Sequence, residues 1–233
     1  MKTTTEMIAK EGWKPIGVGL LLLLLSGLFG WKIFAFLCLL VTLCLMYFYR
    51  NTERIMEDNA SDSLLSPLDG VIKNIENKSD GIYLQISKPI CFCGMLRMPL
   101  ANLGKCGEVL EIEHIKGLKN GDEITGERIT LAFHRETDKT PTSTLYLTLY
   151  PKYFAQTSLY LWDSNFRLGE RIGFFLNGNA TLKIPLNSEL RVNIHDKILG
   201  GKTLLGKVQS TQSERDLKKI QDAYDSKDEQ QQD

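Results

Sequence analysis

Histidine is scarce in this 233-residue chain. The three present, His114, His134 and His195, sit far apart and at no metal-ligand spacing, which argues against a zinc site. Cysteine totals five (Cys38, Cys44, Cys91, Cys93, Cys106), an odd number without a CxxC pair. That argues against a disulfide framework and for a reducing compartment. A charge excess is also missing, since Lys+Arg and Asp+Glu both total 28. With no basic surplus and no basic-aromatic motif, nucleic acid is not expected as a partner. Beyond residue 64 there is no long 3.6-period helix. Low-complexity sequence is limited to Gln230-Gln231-Gln232.

Long apolar runs are what the chain does have. Residues 16–30, IGVGLLLLLLSGLFG, are followed by Trp31-Lys32 and then by residues 33–49, IFAFLCLLVTLCLMYFY. A spanning helix needs about 20 apolar residues, within a range of about 17–25. The second run meets the lower limit and the first falls short of it. A cleaved signal peptide would end in small residues before a polar mature chain; here one apolar run leads into another. Lys2, Lys10 and Lys14 precede the pair, and Arg50 and Arg54 follow it. Positive charge on both flanks places both ends in the cytoplasm. The expectation is a membrane hairpin over 16–49, turning at Gly30-Trp31-Lys32, in the cytoplasmic (inner) membrane with the remaining chain on the cytoplasmic side. The rival is one tilted span broken at Gly27 and Gly30.

Past the hairpin the pattern changes to short period-2 segments. Residues 82–86, 108–115, 128–133, 144–150, 157–162, 171–176, 180–184 and 190–194 all read as strands. Cys91-Phe92-Cys93 alternates too, placing both thiols on one side of a strand that runs toward Arg97. Turn signals at Ser79-Asp80-Gly81, Lys119-Asn120-Gly121-Asp122, Asp163-Ser164-Asn165 and Gly200-Gly201 separate the segments. The fold expected is mainly β. Leu65-Ser66-Pro67-Leu68-Asp69-Gly70 opens this region and Leu199-Gly200-Gly201-Lys202-Thr203-Leu204-Leu205-Gly206 closes it, a pairing that suggests a barrel-sandwich-hybrid-like β domain. The expected division is 1–15 amino-terminal segment, 16–49 hairpin, 50–208 β domain, and 209–233 a polar tail, frayed helix or disordered. Asp69 before glycine is also an ordinary turn residue. Asn177-Gly178 is the commonest hairpin signal.

Five elements in order resemble the short bacterial phosphatidylserine decarboxylases. They are Glu11-Gly12-Trp13-Lys14-Pro15 before the apolar pair, Tyr49-Arg50-Asn51-Thr52-Glu53-Arg54 after it, and Ser66-Pro67-Leu68-Asp69-Gly70. The last two are Arg167-Leu168-Gly169-Glu170-Arg171-Ile172-Gly173 and the Gly-Gly-Lys-Thr-Leu-Leu-Gly ending. The resemblance implies a precursor that cuts itself before the serine of a Gly-Ser motif. Elimination and hydrolysis leave an amino-terminal pyruvoyl group, which serves as the electron sink for loss of carbon dioxide. It also implies an aspartate and a histidine assisting that serine.

Asp69 matches the family aspartate. Arg97 and Pro99 match the element that follows the histidine, and counting back from them puts the histidine position on Gly94. Counting forward from Gly169-Glu170-Arg171, the Gly-Ser pair falls on Gly178-Asn179; counting back from Pro185, the serine column falls on Gly178. Neither register supplies a serine. Asparagine has no nucleophilic hydroxyl and no leaving group on its β-carbon, so Asn179 yields no pyruvoyl group by this route. The reading is a decarboxylase-related membrane protein in phospholipid metabolism with no cofactor, binding a membrane phospholipid such as phosphatidylserine or partnering a lipid-synthesis enzyme. Arg97 is the candidate for the phosphate. Two alternatives stand beside it. One is an active, pyruvoyl-bearing decarboxylase using Thr181 with His134 or His195, although Thr181 also reads as a plain strand residue. The other is a membrane-anchored β scaffold without a lipid site. Cys91 and Cys93 line the old active-site wall or simply pack in a strand.

Overall fold

The computed structural model describes residues 7–55, 63–100, 107–121, 123–135, 144–160, 165–186 and 188–208. The expected polar tail, 209–233, and Cys106 lie outside the described residues.

The apolar runs form two helices, α1 (Trp13–Leu28) and α2 (Lys32–Phe48). Pro15 sits in the first turn of α1, where its missing N–H breaks no helical bond. Gly30, at φ 72°, makes the reversal between the helices. Their far ends come back together: Ala9 N–H donates to Tyr49 O (2.8 Å) and Asn51 N–H to Met7 O (2.8 Å). The pair is therefore an antiparallel helical hairpin. Small residues line its seam. A Cβ on Gly19 would stand 2.6 Å from Thr42 Oγ1, and Ser26, Cys38 and Thr42 are buried. The hydroxyls of Ser26 and Thr42 donate to the backbone oxygens of Leu23 and Cys38, so no polar group is left bare on the seam. The rest is Leu, Phe and Val exposed all round. With its 3₁₀ turn, Lys10–Leu28 is long and apolar enough to cross a membrane; Lys32–Phe48, 17 residues, is shorter.

The remaining elements are antiparallel strands: β1 (Ser63–Leu65), β2 (Gly70–Lys78), β3 (Gly81–Lys88), β4 (Met95–Arg97), β5 (Gly107–Ile115), β6 (Arg128–Arg135), β7 (Leu145–Pro151), β8 (Thr157–Leu159), β9 (Asn165–Phe166), β10 (Arg171–Phe175), β11 (Gly178–Ile184), β12 (Ser188–Leu190), β13 (Lys197–Ile198) and β14 (Leu204–Val208). The chain is mainly β, as its alternation predicts. Eight strands make one sheet in the order β13-β2-β3-β11-β7-β6-β5-β9, and β1-β14-β12 and β4-β10-β8 make two small ones. Alternation in β11, with Ala180, Leu182 and Ile184 inward, and in β7, with Leu145, Leu147 and Leu149 inward, supplies the centre of the main core.

Several local expectations fail. Residues 190–194 do not form a strand, because only Leu190 joins β12 and Ile194-His195 is a turn. The 157–162 strand stops at Leu159 within the described residues. Cys91-Phe92-Cys93 is not a strand. The chain turns after Pro89, with Phe92 N–H on Pro89 O (3.1 Å), leaving Cys91 exposed and Cys93 buried. Asn177-Gly178 is not a hairpin turn either. β10 and β11 lie in different sheets, and the chain crosses between them at this point.

Register places one end of the large sheet at the hairpin's foot. Gly178 pairs with Lys88 and Pro151, Val71 with Ser87, and Ile115 with Arg128. The start of β2, the ends of β3, β5 and β7 and the starts of β6 and β11 thus share one rim. The foot of the helices packs there in a second core of Ala9, Ile16, Tyr49, Cys93, Met95, Phe174 and Leu176. The opening and closing motifs meet at the same place. Gly200 N–H donates to Asp69 Oδ1 (2.8 Å), Gly201 N–H to Ser66 O (2.7 Å) and Ser66 N–H to Thr203 O (2.9 Å). Arg54, just past the hairpin, clasps both oxygens of the buried Asp69 with its two terminal nitrogens. Removing one partner of such a pair leaves the other charged and buried. Asp69→Asn is expected to destabilise the protein by about 3 kcal/mol, read as a lower thermal unfolding midpoint in mild detergent. Asp80→Asn, at the exposed Lys183–Asp80 pair, should leave that midpoint unchanged.

Candidate functional site

The ends of β3 and β4 and the start of β2 bring charge into the interior beneath the helices. Lys88 continues the inward parity of Ile82, Leu84 and Ile86, so its side chain enters the core and is about 1% exposed. Its ammonium donates to Leu176 O (3.0 Å) and Phe92 O (3.3 Å). Burial pulls its pKa down to about 8, a shift that the nearby Asp69 carboxylate partly offsets. Arg97, also buried, donates through Nη1 to Gly169 O (3.0 Å) and through Nη2 to Thr52 O (2.6 Å). Burial, then Arg171 and Arg54, depress its pKa. Arg54 is pushed the other way, chiefly by its hydrogen bonds to Asp69. Arg50 reaches across to Cys91 O (3.0 Å), and the Cys93 thiol donates to Arg50 O (3.4 Å).

Asp69, Arg97, Arg54, Lys88 and Cys93 therefore share one electrostatic neighbourhood, in which cations outnumber the carboxylate. It holds two guanidinium groups and a buried ammonium around one carboxylate. Arg54 and Lys88 were missed as site residues from the sequence, although the parity of IYLQISK marks Lys88.

Gly94 adjoins this centre, and the Phe174 ring fills the space in front of it. A Cβ built on Gly94 would collide with that ring. Phe174 in turn stacks on Tyr49 of the hairpin's foot, with centroids 5.5 Å apart and 11° between planes. Gly178 pairs with Lys88 and shares its inward face. At φ 156° it has no room for a side chain: a Cβ would meet Tyr150 O and stand 2.6 Å from Phe175 Cζ. Asn179 pairs with Ser87 and Tyr150 and points to the other face, where its Nδ2 donates to Gly121 O (3.0 Å). Gly94, Gly178 and Asp69 are thus gathered near the foot, while Asn179 turns away from them.

That other face holds a groove of about 340 Å³ walled by Tyr83, Tyr146, Tyr150, Thr148, Thr181 and Lys183. Thr181 lies here, donating to Glu123 Oε1 (3.0 Å). His134 shares the face but sits four residues along β6 from Thr130, the residue in line with Thr148 and Thr181, so it is roughly 13 Å away along the strand alone. His195 occupies a turn beside β2, at the opposite edge of the sheet. The structure does not bring either histidine to Thr181. No group of metal ligands occurs among the described residues.

These features define a mainly β protein with an apolar helical hairpin seated on a buried, cation-rich centre. No family model and no solved structure matches it. Curated relatives do, and each is a "phosphatidylserine decarboxylase proenzyme". The one from Desulfotalea psychrophila is 27% identical over 212 residues, covering 86% of this chain and 96% of the relative. That from Geotalea uraniireducens is 24% identical over 224 residues (88% and 99%), and that from Neisseria gonorrhoeae 28% over 225 (90% and 82%). Over most of its length the chain is thus similar to phosphatidylserine decarboxylase proenzymes, at the divergent level of 24–28% identity.

Two outcomes follow from the packing. Gly94→His should lower the unfolding midpoint, and adding it to Phe174→Ala should cost little more than Phe174→Ala alone, a coupling of about 1 kcal/mol or more in a double-mutant cycle. Lys88, with its folded pKa about 8 against an ordinary 10.5, gives the folded state fewer protons than the unfolded chain between those values. Stability therefore rises with pH from about 8 toward 10 and is lowest below 8. Unfolding midpoints measured across that window should climb in the native protein and stay flat in Lys88→Met.

Proposed function

We propose that this protein is a membrane-anchored member of the family that works in phospholipid metabolism by binding phospholipid, without pyruvoyl-dependent catalysis. The observation that carries this reading is Phe174, whose ring takes the space a histidine at Gly94 would need. Against a pyruvoyl group stand two further features. Gly178 has no room for a side chain, and Asn179 faces away from Asp69 with its amide engaged by Gly121 O. The residues present do not fit that group, and no decarboxylation step is routed through it.

What remains suits a lipid headgroup. Arg54, Lys88 and Arg97 surround a single buried carboxylate, directly under the helices. Such a centre favours the phosphate and carboxylate of an anionic headgroup, with phosphatidylserine the first candidate. The helices, about 24 and 26 Å long at 1.5 Å per residue, dip into the bilayer and return. Lys10, Lys14, Arg50 and Arg54 at the foot set the β domain on the cytoplasmic side of the inner membrane. A lipid-synthesis enzyme is the partner such a protein would serve.

Intact-mass spectrometry of the purified protein tests the catalytic half. One full-length chain is expected, and Asn179→Ser should also stay whole. Two fragments with a carbonyl at the new terminus would overturn the reading. Binding to vesicles with and without phosphatidylserine tests the other half. Tighter binding with it is expected, reduced by about tenfold or more by Arg97→Ala through loss of a charge-assisted contact of about 1.5–3 kcal/mol; equal binding would remove the headgroup.

A further inference from the structure

Outside the helical hairpin, the most exposed large apolar side chains among the described residues are Phe154 (96%), Ile55 (89%), Ile124 (87%), Met7 (84%), Leu118 (76%) and Tyr153 (69%). All six lie at one end of the molecule. Met7 and Ile55 flank the hairpin's foot. Leu118 and Ile124 are in the β5–β6 connection, and Tyr153 and Phe154 follow β7; both connections leave the large sheet from the rim on which the foot is seated. Among the described residues of the opposite end, Leu186, just beyond Ile184, is about half exposed.

The two connections are built as one unit. Lys119 Nζ donates to Ala155 O (3.1 Å) and Gly121 N–H to Pro151 O (3.0 Å). A turn closed by Ala155 N–H on Lys152 O (2.9 Å) presents Tyr153 and Phe154, and Phe154 is held at φ 59°, a conformation a non-glycine residue rarely adopts. The next residue, Gln156, accepts a hydrogen bond from the Tyr49 hydroxyl (3.0 Å), tying this turn to the end of α2. Lys116, Lys119 and Lys152 stand among the apolar tips, while Glu127 is engaged by His114 and Glu123 by Thr181. Aromatic and aliphatic tips with lysines beside them are a composition suited to the headgroup layer of a bilayer. A membrane that receives the hairpin must pass close to its foot, and so close to these tips.

We infer that the rim formed by Leu118, Ile124, Tyr153 and Phe154 is a second membrane contact, which inserts into the headgroup layer beside the hairpin and lays the buried cationic centre against the lipid surface. This rests on the hairpin being in the bilayer, and the test separates the two.

Single-tryptophan proteins, keeping the full chain, are reconstituted in vesicles of phosphatidylcholine with or without dibrominated acyl chains. Trp31 alone reports the hairpin. Phe154→Trp and Leu186→Trp, each with Trp13, Trp31 and Trp162 changed to Phe, report the rim and the far end. Brominated lipid should quench Trp31 and Phe154→Trp and spare Leu186→Trp. Quenching of Trp31 with Phe154→Trp no more affected than Leu186→Trp would overturn the rim contact and leave the anchor standing. An unquenched Trp31 would overturn both. The unaltered protein gives a second reading that needs no variant to fold. Chymotrypsin cleavage after Tyr153 or Phe154 should be several-fold slower in vesicles than in detergent, with cleavage after Leu186 unchanged. Equal rates at both places would overturn the inference.

Discussion

A carboxylate buried in protein must be met by charge or by N–H groups, and Asp69 is met by both. Arg54 grips its two oxygens and Gly200 donates to one of them. These partners come from the chain just after the helices and from the loop before β14, while Asp69 itself stands at the start of β2. One side chain thus fixes where the hairpin sits, where the large sheet begins and how the last strands return. The foot of the helices, the rim of the sheet and the cationic centre share one location because of it. Arg54 Nη1 also donates to Gly200 O (3.0 Å), so the clasp closes on itself.

Around that clasp, apolar packing closes in on two glycines, Gly94 and Gly178. Gly94 leaves a space and Phe174 takes it, flat against Tyr49. The stack joins the helices to the small sheet β4-β10-β8 and seals the core beneath the helices. A histidine there would have to displace a buried aromatic ring. The cations, by contrast, remain. Lys88 and Arg97 are each held by two backbone oxygens, which engages N–H groups without cancelling the charge. The result is a buried centre in which two guanidinium groups and an ammonium surround one carboxylate.

Alternation made the long strands legible. IYLQI, TLYLTLY and ATLKI each put one apolar face inward, and β3, β7 and β11 follow. Short strands gave no such signal: β9 and β13 have two residues each, and their pairing depends on partners far along the chain. LRVNI has the right alternation and still fails, because β12 ends at Leu190 and the chain turns at Ile194-His195 to bring Asp196 O to Ile72 N–H. CFC fails because Pro89 starts a turn there. The opening and closing motifs were visible, but their meeting at Asp69 was not, since nothing local says that residues 131 apart will share a hydrogen bond. Lys88 was hidden differently: a lysine at the end of a strand reads as solvated until its inward parity is counted.

The crossing at Asn177-Gly178 sharpens what two ways of counting left open. In a strand, neighbouring residues face opposite sides, so Gly178 and Asn179 cannot serve the same site. The face of Gly178 is the face of Lys88, whose ammonium lies within the field of Asp69. The face of Asn179 is that of Tyr150, Thr181 and the polar groove. A side chain meant to act with Asp69 would have to project from residue 178, the register counted back from Pro185. There, the backbone oxygen of Tyr150 and the ring of Phe175 close the space from two directions. A serine at that position would require Phe175 to move. Phe175 belongs to the main core and Phe174, its neighbour, blocks Gly94. Two consecutive aromatic residues of β10 therefore close the space in front of both Gly94 and Gly178.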